Sequence, residues 1–229
     1  MSIVENLNNL QKQLNPKGVT LVAVSKTKPV EEIMQAYDAG QRDFGENLVQ
    51  EMVEKEQQMP KDIRWHLIGH LQRNKVKYIA PFVSMIQSVD SYRLLAEINK
   101  RAQQNDRVID CLLQIKIADE DTKFGMDFAD AVEMLMEDKF QELENIRICG
   151  LMGIATLTDN PKVIKEEFYE LKTFFESIKK SFFRDKDHFK IISMGMSSDY
   201  EIAIEKGSNM VRVGSTIFGK RVTKHFKTE

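Results

Sequence analysis

The sequence predicts an α/β fold, a (β/α)8 TIM barrel preceded by an extra N-terminal helix. Three observations predict it. Eight short apolar runs recur along the 229 residues, and a stretch with helical spacing fills every interval between them. Strict alternation implies parallel strands joined by right-handed crossovers, and eight such units close most simply into a barrel. No Gly/Ser-rich linker or shift in composition divides the chain, so residues 1–229 read as one domain. The competing architecture, an open doubly wound sheet, calls for a Gly-rich fingerprint after the first strand, and none follows Val24.

Ile3, Val4, Leu7, Leu10 and Leu14 recur at helical spacing, so residues 2–14 form an amphipathic helix that Asn15-Pro16-Lys17-Gly18 ends. Five of the six residues from Val19 to Val24 are apolar and three are Val, the signature of a buried parallel strand. Residues 30–39 are helical, with Ile33, Met34 and Tyr37 on one face and Gly40 placed as C-cap. Residues 42–44 make a very short second strand, and the helix over 48–58 stops at Met59-Pro60. The third strand is 64–68, followed by a short helix to about Ile79; the fourth is 85–88. A helix over 91–105 presents Leu94, Leu95, Ile98 and Ala102, and the fifth strand is 108–117. A helix over 127–140 turns Phe128, Ala131, Val132, Leu135 and Met136 inward, ahead of the sixth strand, 146–152. The clearest helix is 162–183, where Ile164, Phe168, Leu171, Phe175, Ile178 and Phe182 recur in steps of four and three. That aromatic stripe reads as packing. The seventh strand is 189–194, a helix over 199–206 closes at Gly207, the eighth strand is 210–213, and Gly214-Ser215-Thr216 opens a last short helix.

Composition narrows the function. Apolar residues make up 42% and charged residues 30%, which supports a sizeable core. A net charge of -2 gives no reason to expect nucleic acid or an anionic membrane as partner. No apolar run reaches membrane-spanning length, and Met1 to Glu5 has neither a basic n-region nor an apolar h-region. Cys111 and Cys149 each sit inside an apolar run and read as buried free thiols, which fits a reducing, cytoplasmic setting. No metal spacing involves them. His66 and His70 make a poor metal pair, since Gly69 breaks any helix that would align them. Once the helices cover the barrel no docking stripe is left over, so a monomer is expected.

In a barrel, residues just after each strand converge on one face. Lys26 follows the first strand. Partial desolvation and the neighbouring positive charge of Lys28 both favour its neutral amine, the form that makes a Schiff base with a carbonyl compound. The ordinary alternative is a loop lysine that snorkels to solvent. Glu46 and Asn47 follow the second strand, and His66 lies on the third. The seventh and eighth strands bring Ser193-Met194-Gly195-Met196-Ser197 and Arg212-Val213-Gly214-Ser215-Thr216. Loops at that position form the usual phosphate site of this fold. Gly214 admits an anion to the backbone, and Ser215 and Thr216 offer hydroxyls and N–H groups. A reactive lysine across from a phosphate clamp points to pyridoxal 5'-phosphate (PLP), with a Schiff-base aldolase acting on a sugar phosphate as the alternative. An arginine such as Arg212 against a pyridine nitrogen would keep that nitrogen unprotonated. From spacing alone, Arg212 could equally be a rim salt bridge.

The residues resemble the PLP homeostasis proteins, the YggS-like family. The resemblance rests on Ala23-Val24-Ser25-Lys26-Thr27-Lys28-Pro29, Phe44-Gly45-Glu46-Asn47, and the run from Trp65 to Lys75. Gly150-Leu151-Met152, Ser193 to Ser197, Val211 to Gly214 and Ile217-Phe218-Gly219 complete it, in order and across almost the whole chain. It implies a barrel like the N-terminal domain of alanine racemase, PLP linked to Lys26, Arg212 near the pyridine nitrogen, and phosphate held around Ser197, Gly214 and Ser215. Asn47, His66 and Ser193 join the expected cofactor-binding set; Glu46, Asn47 and His66 are candidates for proton transfer or, more modestly, for hydrogen bonds to the cofactor ring or its O3'. Leu48 stands where the family often has Tyr, Ser215 where Thr is common, and Gly153-Ile154-Ala155 where Thr-Ile-Gly is common.

A racemase needs an acid/base on each face of the substrate's α-carbon. In the related racemases one of these is a tyrosine from a second domain, and this chain ends soon after the barrel. Intracellular PLP homeostasis, by buffering or delivery with little or no turnover, is therefore the expected function. The alternatives are a weak amino-acid racemase, or another amino-acid-directed PLP enzyme. PLP-dependent apoenzymes are the candidate recipients. Lys28 and Lys123 are secondary candidates for amine or phosphate contacts. Lys220, Arg221, Lys224 and Lys227 read as a solvated basic tail.

Overall fold

The computed structural model describes residues 2–118 and 124–219, so Lys123 and the basic tail lie outside the described residues. Eight strands pair in chain order: β1 (Thr20–Val24), β2 (Asp43–Glu46), β3 (Arg64–Leu67), β4 (Met85–Val89), β5 (Ile109–Ile115), β6 (Ile146–Gly153), β7 (Ile191–Ser193) and β8 (Met210–Val213). Every pair is parallel, and β8 closes on β1 with Thr20 opposite Met210 and Ala23 opposite Val213. The helices are α1 (Ile3–Leu14), α2 (Val30–Asp38), α3 (Val49–Gln58), α4 (Val76–Ile79), α5 (Tyr92–Gln103), α6 (Phe128–Met136), α7 (Asp138–Gln141), α8 (Pro161–Phe182), α9 (Tyr200–Glu205) and α10 (Ser215–Phe218). The (β/α)8 barrel with an added first helix is therefore the observed fold.

Local chemistry sets the ends of these elements. Ser2 and Glu5 form a reciprocal capping box that starts α1. Pro161 occupies the first turn of α8 behind the Asn160 cap, where a missing N–H costs nothing. Leu7, Leu10 and Leu14 bury the inner face of α1, and Asn6 ties it to the Ile217 carbonyl of α10 at 3.1 Å. On α8 the stripe of Ile164, Phe168, Leu171, Phe175 and Ile178 is buried as its spacing requires. Phe189, just before β7, stacks between the Phe175 and Phe183 rings at 4.9 and 4.2 Å.

Period-two alternation splits the strand residues between two cores. The outward residues join the helices in one continuous layer. Val22, Met85, Leu112, Cys149, Met152 and Met210 pack together inside the barrel, so its centre is filled rather than open. Cys111 belongs to the outer layer and Cys149 to the inner one, and both thiols are free. Burial pushes the Cys149 thiol up to about 12, so it is inert near neutral pH.

Three expectations are corrected. The helix over 127–140 breaks at Glu137, whose φ of -73° and ψ of 134° are extended, giving α6 and α7. Met136, expected inward, ends α6 at 71% exposure. Strand two continues to Glu46, which sets the direction of that side chain. No helix among the described residues is long and apolar enough to cross a membrane.

Candidate functional site

The C-terminal strand ends surround a cavity of about 560 Å³, within the size range of small-molecule sites. Val24, Ile68, Ile154 and Met196 supply apolar walls. Six of the eight residues expected to bind the cofactor meet there: Lys26, Asn47, Ser197, Arg212, Gly214 and Ser215. The half-buried Lys26 sits in the turn after β1, while Ser197 arrives on the loop after β7. The Ser197 hydroxyl accepts from the Gly214 N–H at 3.2 Å, which joins the loops after β7 and β8 into one surface. A Cβ on Gly214 would stand 3.0 Å from the Val24 carbonyl oxygen and 3.2 Å from the Val24 Cβ, so a larger residue would press β8 away from β1 by a few tenths of an ångström. Ser215 and Thr216 open α10, and as first-turn residues their N–H groups have no acceptor within the helix. Lys28 also lines the cavity, but its ammonium is held by the Phe218 carbonyl at 2.7 Å and Glu32 at 3.1 Å.

Arg212 forms part of the cavity wall from a buried position on β8. Its guanidinium donates to the Ser193 carbonyl at 2.8 Å, the Ser193 hydroxyl at 2.6 Å and the Gly153 carbonyl at 2.9 Å. Burial pushes its pKa down to about 10, against the pull of Asp199, so the group stays charged at neutral pH. The rim salt bridge is not what forms.

His66 and Ser193 are not on the cavity wall. Both lie beneath it in a hydrogen-bond chain that crosses the barrel. Ser193 Oγ donates to Gln87 Oε1 at 2.7 Å, Gln87 Nε2 meets His66 Nδ1 at 2.9 Å, and His66 Nε2 meets Asp43 Oδ1 at 3.0 Å. Arg64 then grips both Asp43 oxygens at 2.8 and 2.5 Å. Arginine can only donate and a carboxylate can only accept, so the chain satisfies every member in one direction, from Arg212 to Asp43. His66 is thereby assigned the tautomer with its proton on Nε2. Burial alone would raise the Asp43 carboxyl, but hydrogen bonds from Arg64 and His66 outweigh it and bring it to about 2. Gln87 and Asp43 were not singled out by sequence. A glutamine in the run Met85-Ile86-Gln87-Ser88-Val89 was the available signal, because a buried amide demands partners.

Glu46 also fails to reach the cavity. It alternates outward from β2 and accepts from Ser25 Oγ at 2.5 Å and Lys55 Nζ at 2.7 Å. Burial raises its pKa, against the lowering effect of Lys55 and Ser25. His70 stacks on Phe124 at 4.1 Å and approaches Asp90 at 3.3 Å, apart from His66. No group of three His, Cys, Asp or Glu among the described residues could hold a metal ion.

An amine, a cluster of hydroxyls and a buried arginine share one barrel mouth. Residues 1–222 match the family described as alanine racemase, N-terminal domain. The alanine racemase of Clostridium difficile shares the fold at a TM-score of 0.76 and 17% identity, with 97% of this chain covering 58% of that one. Much nearer is PipY of Synechococcus elongatus, solved with PLP bound: TM-score 0.85, 36% identity, 95% of this chain and all of that one. The pyridoxal phosphate homeostasis protein of Pasteurella multocida is 36% identical over 233 residues, 96% of this chain and 98% of its own length. The chain belongs to the pyridoxal phosphate homeostasis protein family.

Proposed function

We propose that this protein binds PLP at the barrel mouth, held as a Schiff base on Lys26, and serves intracellular PLP homeostasis by buffering or delivery with little or no turnover. The observation that carries the reading is the donor set of one cavity, whose wall holds Lys26, Arg212 and the group Ser197, Gly214, Ser215 and Thr216, read here as an anion cradle. That set fits the cofactor's aldehyde, phosphate and ring nitrogen respectively. Bound PLP supplies an aldehyde that amines capture and a ring that withdraws electrons from the bonded carbon. Arg212, charged and donor-only, keeps a ring nitrogen beside it unprotonated and so blunts that withdrawal. Asn47 is the polar side chain on the wall contributed by β2. Ser193 and His66 act through Arg212 rather than by contact with the cofactor.

The low turnover has support in the same residues. Two-sided proton transfer needs two acid/base groups facing one carbon. The acid/base candidate Glu46 points outward and His66 is bonded to Gln87 and Asp43 below the cavity, Lys28 is committed to Glu32 and the Phe218 carbonyl, and no tyrosine among the described residues lines the cavity. The reading takes one domain, a cytoplasmic monomer, with PLP as ligand and PLP-dependent apoenzymes as recipients; no nucleic acid or membrane enters it.

The test is a visible spectrum of the purified protein incubated with PLP, before and after borohydride, with the modified peptide identified. Label on Lys26, and loss of the absorbance band in Lys26→Ala, are the expected results. A protein left colourless would favour a lysine barrel that acts on another phosphorylated carbonyl compound. Brisk racemisation of an amino acid would reject the carrier role.

A further inference from the structure

Lys26 does not sit on a relaxed loop. The next residue, Thr27, has φ of +64°, in the left-handed region that a β-branched residue avoids. Such a conformation persists only where the surroundings impose it. Here they do so from one side. The Thr27 N–H donates to Glu51 Oε1 at 2.5 Å, Lys55 Nζ donates to the Ser25 carbonyl at 2.8 Å, and Ser25 Oγ donates to Glu46 at 2.5 Å. The same Lys55 ammonium bonds Glu46 and Glu51, each at 2.7 Å, and so locks the three groups together. Both residues flanking Lys26 are therefore fixed by α3, through Glu51 in its first turn and Lys55 in its last, and by the end of β2.

A stability role explains this cluster poorly. Lys55 is 5% exposed and Glu46 fully buried, and burying such a pair offers little net gain over packed apolar side chains. Glu46 Oε2 is buried without a protein hydrogen-bond partner, which adds to that cost.

We propose that Lys55, Glu51 and Glu46 are positioning residues for Lys26, an external clamp that forces the Ser25–Thr27 turn to present the amine at the barrel mouth. This rests on the reading of Lys26 as the residue that bonds PLP. The clamp stands outside the cavity and touches no ligand, so its effect is on how fast and how tightly the amine captures an aldehyde.

The experiment combines Lys55→Met with Thr27→Gly and follows the rate of PLP capture by absorbance. Lys55→Met should slow capture about tenfold, the loss expected for one hydrogen bond to a charged group. Adding Thr27→Gly should restore most of it, because glycine adopts φ of +64° unaided. Capture at the wild-type rate in Lys55→Met, or no recovery in the double variant, would overturn the clamp. Should Lys55→Met fold poorly, Glu51→Ala removes the Thr27 acceptor from a carboxylate that is 21% exposed and poses the same question. Amide exchange at Thr27 in the PLP-free protein separates the two readings. Faster exchange in either variant supports the clamp, and unchanged exchange rejects it. A wild-type protein that takes up no PLP rejects instead the role given to Lys26.

Discussion

Replacing Arg212 by glutamine should weaken PLP retention by an amount separable from its effect on the fold. The wild-type guanidinium makes three hydrogen bonds, two to carbonyls and one to the Ser193 hydroxyl. Each is worth about 1.5–3 kcal/mol when the donor is charged. Against them stands burial, which brings the pKa from 12.5 to about 10, or about 3 kcal/mol against the charged form. Arg212→Gln loses the first and recovers the second, and its amide still reaches part of the acceptor set. The net loss without ligand is therefore about 1–3 kcal/mol, a fall of several degrees in Tm for a domain this size. The ligand term changes independently. At 100 times Kd, PLP adds about 2.7 kcal/mol of stability; a contact loss of about 2 kcal/mol weakens Kd roughly 30-fold and leaves about 0.9 kcal/mol at the same concentration. The quantity to measure is the rise in Tm on adding PLP, by scanning fluorimetry at fixed ligand. It should shrink to about a third of its wild-type size in Arg212→Gln. An undiminished rise, with Tm equally lower in the presence and absence of PLP, would refute the assignment of Arg212 to the cofactor.

Two further outcomes test the chain beneath the cavity. Gln87→Leu strands the Ser193 hydroxyl and His66 Nδ1 in the interior, so urea unfolding should show a loss of about 2–4 kcal/mol; a change under about 0.5 kcal/mol would mean the amide is not needed there. Asp43→Asn should flatten acid unfolding. A carboxyl held at about 2 in the fold against 3.8 unfolded contributes about 2 kcal/mol above pH 3.8, lost as pH falls from 3.8 toward 2. An identical acid limb in wild type and variant between pH 4 and 2 would contradict the ion pair with Arg64.

Much of the architecture is local and therefore legible. The Val-rich run before Lys26, the four-and-three stripe of α8 and the Pro and Gly stops are fixed by periodicity and backbone chemistry, which need no knowledge of neighbours. Strand-end residues such as Lys26, Asn47, Arg212 and Gly214 could be placed at one mouth because a barrel leaves them nowhere else to go. Residue identities also exposed the family resemblance, and through it the cofactor.

The tertiary structure decided which way each polar side chain faces. Extending β2 by two residues sends Glu46 outward to Lys55 and leaves Asn47 at the cavity, since adjacent strand residues point to opposite faces. His66 and Ser193 carry the right chemistry for a ligand, yet the strand register puts them one layer below it, under Arg212. Lys55 reads from sequence as one more charged residue on a polar helix; only the docking of α3 against the β1 turn buries it and gives it three oxygen partners. Spacing along a chain determines elements, because those are short-range. Charge burial and hydrogen-bond direction depend on partners 9 to 106 residues away, as Lys55 with Glu46 and Ser193 with Gln87 demonstrate, and those meet only when the barrel closes.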